Sequence, residues 1–246
     1  MMKKISKKWL LVAVLLCSVA SVQAQVMKAA DLEKYAKERY GDKWLDAAAN
    51  LAKSVKFDKN ESLTYQEVVE APGKTKQQLY LALNYWVTAT FKDPKAITLN
   101  DKEAGCIIIS STIRNIAEHM GTLSKYSVSI TPIIRLDIKD GKVRITYTVQ
   151  NYDILDDVSG GWLTVGLDKD ARSLGDGKRK ADDKTNQFLY DEQWEIIRHY
   201  PFVEKDSKKR TCSKALVMTH AYSNAILDKV EEAIKNGIVG NEDDDW

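Results

Sequence analysis

The chain is poor in the residues that most often carry catalysis. It has three cysteines and three histidines, and His119, His199 and His220 share no metal-ligand spacing with one another or with a cysteine. No HExxH, GxSxG, GxxxxGK or CxxC spacing occurs, so the chain bears no signature of a zinc protease, serine hydrolase, phosphate-binding loop or dithiol redox site. Long apolar runs are missing as well. The single candidate, Trp9 to Val19, is shorter than the ~20 residues needed to cross a bilayer, so no transmembrane segment is expected in the mature chain. The carboxylates of Asp153, Asp156 and Asp157, and of Asp168 and Asp170, lack calcium-loop spacing and its central glycine, and read as a solvated loop. No cofactor and no metal are expected.

What is present begins with an address. Lys3, Lys4, Lys7 and Lys8 precede the apolar run, and Val22-Gln23-Ala24 supplies small residues for cleavage. Residues 1–24 are therefore expected to be a signal peptide cut after Ala24, giving an exported protein, periplasmic or associated with the outer envelope. Leu16 stands before Cys17 where lipid attachment wants a small residue, which argues against a lipoprotein. Removing the signal leaves 33 basic against 35 acidic residues, a balance of −2. The basic character of the whole chain belongs to its leader, and no nucleic-acid partner is expected. Two cysteines remain, Cys106 and Cys212, which read either as one disulfide in an oxidising compartment or as two buried thiols.

The stretch Tyr126 to Tyr152 declares its own partner. Asp140-Gly141, between Ile138 and Val143, is a hairpin turn favoured where both central residues take positive φ. A two-residue loop sets Ile138 opposite Val143, Leu136 opposite Ile145, Ile134 opposite Tyr147 and Pro132 opposite Val149, all apolar. Asp137 then meets Arg144, and Arg135 meets Thr146, on the other face. Pro132 donates no N–H, so any strand on its far side should break or bulge there.

Around the hairpin, helical periodicity covers Asp31 to Val55, with Gly41 either ending one helix or bending a continuous one. Leu63 to Glu70 is a strand closed by Pro72-Gly73. Thr75 and Gln78 form a capping box for a helix that ends at Asp93-Pro94. Ile97 to Leu99 begins a strand region, Asp101 to Gly105 turns, and Cys106 to Ile116 is a central strand. Residues 153–190 form a long insertion loop with a short strand over 162–167, and Glu192 to Tyr200 a short helix. The last helix spans Ser213 to Lys235, with Leu216, Leu227, Val230 and Ile234 inward, and stops at Asn236-Gly237. The resulting layout is a helical segment over 25–60, an α+β domain over 61–237 and an acidic tail over 238–246.

That order, strand, capped helix, strands, hairpin, helix, describes an antiparallel sheet with helices packed on one face. The run Val68-Val69-Glu70-Ala71-Pro72-Gly73-Lys74-Thr75-Lys76-Gln77-Gln78-Leu79-Tyr80 with Trp86, then Asp101-Lys102-Glu103-Ala104-Gly105 and Lys139-Asp140-Gly141-Lys142-Val143-Arg144, resembles the domain of unknown function 4468. This is a family of secreted Bacteroidota proteins with a TBP-like fold. The likeness covers residues 63 to 152 and implies a curved sheet backed by helices and an envelope address. It brings no active-site residue, and a likeness to a DNA-binding fold does not carry DNA binding with it.

For function, the sequence points to a non-catalytic binding or interaction module for another envelope protein or a glycan, acting through its sheet face or through Trp162. That indole beside Gly160-Gly161 could stack on a ligand or anchor its loop to the core. The alternative is an envelope enzyme whose site, a histidine-activated Cys106 or Cys212 or a carboxylate pair, assembles from distant residues. His220, one turn after Leu216, reads as a hydrogen-bonded core histidine.

Overall fold

The structure, a computed structural model, describes residues 27, 29–91, 93–120, 124–159, 178–182, 187–199 and 207–237. Helices α1 (Ala29–Tyr40) and α2 (Trp44–Ala52) lead into β1 (Leu63–Glu70) and α3 (Lys76–Thr90). There follow β2 (Ile97–Asp101), β3 (Cys106–Ser110), β4 (Ile113–Met120), β5 (Ser124–Ile130), β6 (Ile133–Lys139), β7 (Lys142–Val149), β8 (Asn151–Ser159), β9 (Lys178–Asp182), β10 (Gln187–Glu195) and α4 (Ser207–Asn236). The class is α+β, as expected, but the strands form two five-stranded antiparallel sheets, ordered β1-β7-β6-β3-β2 and β4-β5-β8-β10-β9.

The hairpin register is the expected one, with Ile138↔Val143, Leu136↔Ile145, Ile134↔Tyr147, Asp137↔Arg144 and Arg135↔Thr146. Its turn differs in one respect, since positive φ falls on Gly141 (+72°) and not on Asp140. The break foreseen at Pro132 is also there, and it is larger than a bulge. The β3·β6 ladder ends at Ser110↔Ile133 and the β4·β5 ladder begins at Ile113↔Ile130. Three segments of the chain, β3 into β4, β5 into β6 and β7 into β8, therefore pass from one sheet to the other at this point. A proline with no N–H and the irregular register between Ile113 and Ala117, where Asn115 has φ +56°, release the pairing. The expected single strand over Cys106 to Ile116 is thus two strands in two sheets.

The expected loop over 153–190 is also corrected. β8 continues to Ser159, and β9 and β10 add two more strands; Glu192 to Glu195 is extended, with a single 3-10 turn at Ile196–His199 in place of the helix. In β8 Tyr152 and Ile154 are buried, Asp153 is half-buried and Leu155 exposed, and in the sequence the acidic residues Asp153, Asp156 and Asp157 obscure that alternation. The strand expected over 162–167 lies outside the described residues.

Gly41 (φ +86°) separates α1 from α2. Thr75 and Gln78 close the capping box in both directions, Gln78 N–H to Thr75 Oγ1 at 3.3 Å and Thr75 N–H to Gln78 Oε1 at 2.9 Å. Helix α4 departs from its expected one-sided packing. Ser213, Ala215 to Thr219, Ala221 to Ser223, Ala225 and Ile226 are all buried, because α1, α2, α3, β1, β4 and β5 surround it. The N-terminal helices share this core through Leu32, Ala36, Ala47 and Ala48. Lys214 bonds Glu33 at 2.7 Å across the same contact. Burial raises the Glu33 carboxyl pKa, and Lys214 and Lys37 more than offset it, leaving the group below its ordinary range.

At one end of the first sheet the three sequence motifs meet. Ala71 N–H donates to Gly141 O at 2.8 Å, Gly141 N–H to Lys74 O at 2.9 Å and Ile138 N–H to Gly105 O at 2.7 Å. The Asp140 carboxylate accepts the N–H of Lys76 at 2.7 Å, satisfying a free donor in the first turn of α3. Lys76 Nζ reaches Glu103 O at 2.5 Å, and Lys74 Nζ donates to Ile234 O in the last turn of α4. Hairpin turn, helix start and glycine turn form one clasp.

Candidate functional site: a cleft along the rim of the first sheet

Away from that clasp, the chain leaving α2 touches the start of β1 and then departs. Thr64 N–H donates to Lys56 O at 3.0 Å, and Phe57 bridges Leu63. The tight return is held by Asp58, whose Oδ1 accepts the N–H groups of Asn60 at 2.8 Å and Ser62 at 3.0 Å. Ser62 first, then Asn60, keep the Asp58 carboxyl below its ordinary range against the opposing effect of burial. Glu61 takes φ +61° within it.

Beside this return lies a cavity of about 510 Å³. One wall is β1, with Thr64, Tyr65, Gln66 and Glu67; the floor adds Ile145 and Tyr147 of β7, which pair with Glu67 and Tyr65. The other wall is a stripe of α4, His220, Ser223, Asn224 and Leu227, at the i, i+3, i+4 and i+7 positions that share a helix face.

Charge enters its lining through Lys56, Asp58 and Glu67, whereas its aromatic groups are neutral. The His220 ring lies between Tyr65 (4.9 Å between centroids) and Tyr40 (5.4 Å). Burial first, and then the Arg39 charge, push the His220 pKa down to about 4, so the imidazole is neutral at pH 7. Burial pushes the Tyr65 and Tyr147 phenols up, keeping both protonated. The Tyr147 hydroxyl and His220 Nδ1 are buried and have no hydrogen-bond partner among the described residues, which corrects the expectation of a hydrogen-bonded core histidine at that nitrogen. Asn224 Nδ2 donates to the Tyr40 hydroxyl. Nearby, the Tyr35 hydroxyl donates to Asp228 at 2.9 Å, and burial followed by that carboxylate pushes Tyr35 up to about 12.

A second hollow, of about 700 Å³, sits where the strands change sheets, with Thr131, Thr148, Gln150, Asn151, Asp153 and Gln193 in its lining. Its polar groups hold one another: Asp153 accepts from Gln193 at 2.9 Å and from Thr131 at 3.4 Å. Asp58 lines both hollows, so the 58–62 return stands between them.

Of the residues singled out in the sequence, His220 is in the cleft. Trp162 lies outside the described residues, as do the side chains of His119, His199 and Cys212. Cys106 is a buried free thiol beside Arg135 and Asp137. Burial raises its pKa first and Arg135 opposes, the reverse of an activated nucleophile. It stands opposite Asp137, on the sheet face turned away from Tyr147, so it forms no pair with His220. Tyr65, Tyr147, Asn224 and Leu227 were not singled out as site residues, because only the β1·β7 pairing and the helix crossing bring them together. Among the described residues no group of three His, Cys, Asp or Glu side chains could hold a metal ion, and no described helix is long and apolar enough to cross a membrane.

Residues 65–153 match the family model of a domain of unknown function, DUF4468, with TBP-like fold. No curated protein matches the chain. Two solved structures are similar: a TBP-like protein from Parabacteroides distasonis, at 14% identity over 74% of this chain and 98% of that one, TM-score 0.45; and a DUF4468 family protein from Bacteroides ovatus, at 11% identity over 74% and 90%, TM-score 0.43.

Proposed function

We propose that this DUF4468-containing chain is an exported, non-catalytic binding module of the cell envelope, and that the cleft between β1 and α4 receives another envelope component, protein or glycan. One observation carries the reading. A cavity of about 510 Å³ is lined by two residues whose buried polar atoms, Tyr147 Oη from the floor and His220 Nδ1 from the α4 wall, nothing described satisfies. Buried polar groups without partners are rare and concentrate where a protein does more than hold itself together. The non-catalytic half rests on the titrating groups: a general base works best with a pKa near the working pH, whereas His220 is held near 4 and the phenols above their ordinary value. The address rests on the basic, apolar and small-residue sequence ending at Ala24.

The test places photo-reactive benzoylphenylalanine at Leu227, in the cleft wall, or at Leu81, exposed on α3. The full chain is expressed and intact cells are irradiated. The expected result is a discrete adduct from position 227 alone, in the envelope fraction, on a protein whose mass begins at Gln25. Equal adducts from both positions, or none from 227, would sink the cleft; a mature mass retaining residues 1–24 would sink the address.

A further inference from the structure

The cleft touches four consecutive residues of β1, Thr64 to Glu67. Successive strand residues point to opposite faces, so a cavity that meets all four lies against the rim of the strand rather than on one face of the sheet. Among the described residues β1 is the outermost strand of its sheet, and that rim is its side away from β7. Thr64 N–H already donates away from β7, to Lys56 O, and the period of two puts the N–H and C=O groups of Gln66, Val68 and Glu70 on the same side. The pairing row begun by Lys56 and Phe57 would continue backward through Val55 and Ser54. Both instead donate to Leu51 O as the chain leaves α2. Beyond them, no described residue pairs with the rim from Tyr65 to Glu70. The strand lacks two of the usual edge defences, since its sequence contains no proline and its eight-pair register with β7 has no bulge, and Val68 is 47% exposed; the charge it does carry, on Glu67 and Glu70, selects among incoming segments.

We infer that this rim accepts an extended peptide segment of a partner protein as a sixth strand, antiparallel to β1 and in line with Lys56 and Phe57, with an apolar or aromatic side chain entering the cleft between Tyr65 and Leu227. The inference rests on the cleft being the binding site and names its occupant. Main-chain bonds supply the attachment in strand addition, and alternate side chains supply selectivity. Charge sets a polarity too. An antiparallel segment starts beside Glu70 and Glu67 and ends toward Lys56, so it is matched by a basic residue at its N-terminal end and an acidic one at its C-terminal end.

The probe is a fluorescein-labelled peptide with an N-terminal lysine, alternating threonine and valine around a central tyrosine, and a C-terminal aspartate, titrated into the mature protein by fluorescence polarisation. Saturable binding is expected for the wild type and for Val68→Thr, which keeps its N–H. At least a tenfold loss is expected for Val68→Pro, a substitution that an edge strand tolerates where the N–H faces outward, and for Leu227→Arg. Amide hydrogen exchange gives a readout without variants: saturating peptide should slow Gln66, Val68 and Glu70 and leave the already paired Tyr65 and Glu67 unchanged. Loss with Leu227→Arg but not with Val68→Pro would overturn strand addition and leave the cleft as the binding site. Binding indifferent to both would overturn both. Absence of binding to the wild type, or a concentration-dependent dimer abolished by Val68→Pro, would overturn the peptide as occupant.

Discussion

The two ends of β1 are built on opposite plans. At the Glu70 end every exit is tied: Ala71, Lys74, Lys76, Gly105, Ile138, Asp140 and Gly141 exchange short hydrogen bonds, and glycines stand where the clasp closes. At the Leu63 end the pairing row starts with Lys56 and Phe57 and stops, leaving a cleft in which Tyr147 and His220 each keep a buried polar atom with no described partner. The first end stabilises and the second gives up stability. Such a division is expected when a scaffold is kept rigid so that one rim can stay open.

The sharpest way to break this contrast is at Gly105. It has φ +68°, and a Cβ there would meet Ile138 O at 2.6 Å and Lys76 Cε at 2.4 Å. Gly105→Ala should cost about 3 kcal/mol, from the left-handed backbone and the overpacking together, measured as a lower urea midpoint at unchanged slope.

At the open end the corresponding probe is pH. His220 has a folded pKa of about 4 against an ordinary 6.5, so between those values the unfolded chain binds the extra proton. Stability should be full above pH 6.5 and fall as pH drops toward 4, by up to about 3 kcal/mol. His220→Gln should flatten that window when urea unfolding is compared at pH 7 and 4.5. Asp137 and Glu33 have depressed carboxyl pKa values, so their contribution is lost only at lower pH, as their folded values are crossed. A window that persists in His220→Gln would contradict the assignment.

Two substitutions of similar size should then move stability in opposite directions. Tyr147→Phe removes a buried hydroxyl with no described partner and should stabilise by about 1 kcal/mol. Thr75→Ala opens the capping box and should destabilise by about 1 kcal/mol. Thermal unfolding of both, side by side, reads the contrast directly. The smallest effect concerns the thiols: alkylation without reductant should label Cys106 only on unfolding, and Cys212 should then label with it. A pair that stays unlabelled in denaturant until reduced would show a disulfide and place α4 differently.

The parts that meet in the clasp were legible because each is local: Asp140-Gly141 fixes a register, and Thr75 and Gln78 fix a helix start, as Asn236-Gly237 fixes a helix end. Their meeting was not, because bonds such as Ala71 to Gly141 and Lys74 to Ile234 join distant parts of the chain. The crossing at Pro132 was half legible: a missing N–H announces that a ladder must stop, but not that its continuation joins a second sheet. The strands after Tyr152 were hidden by their many charged residues, which break the apolar alternation that marks a strand. Of the cleft only His220 was singled out, and as a core residue. Tyr65, Tyr147 and Asn224 lie far apart in sequence, and only the order β1-β7 and the passage of α4 place them together.

The position of α4 has a consequence for how the molecule folds. The elements packed on it, α1, α2, α3, β1, β4 and β5, all lie far from it in sequence, so the core around it closes only through contacts of long sequence separation. Loop-closure entropy must be met before such contacts form, and the earlier elements are expected to gain their full stability together with α4 rather than one after another.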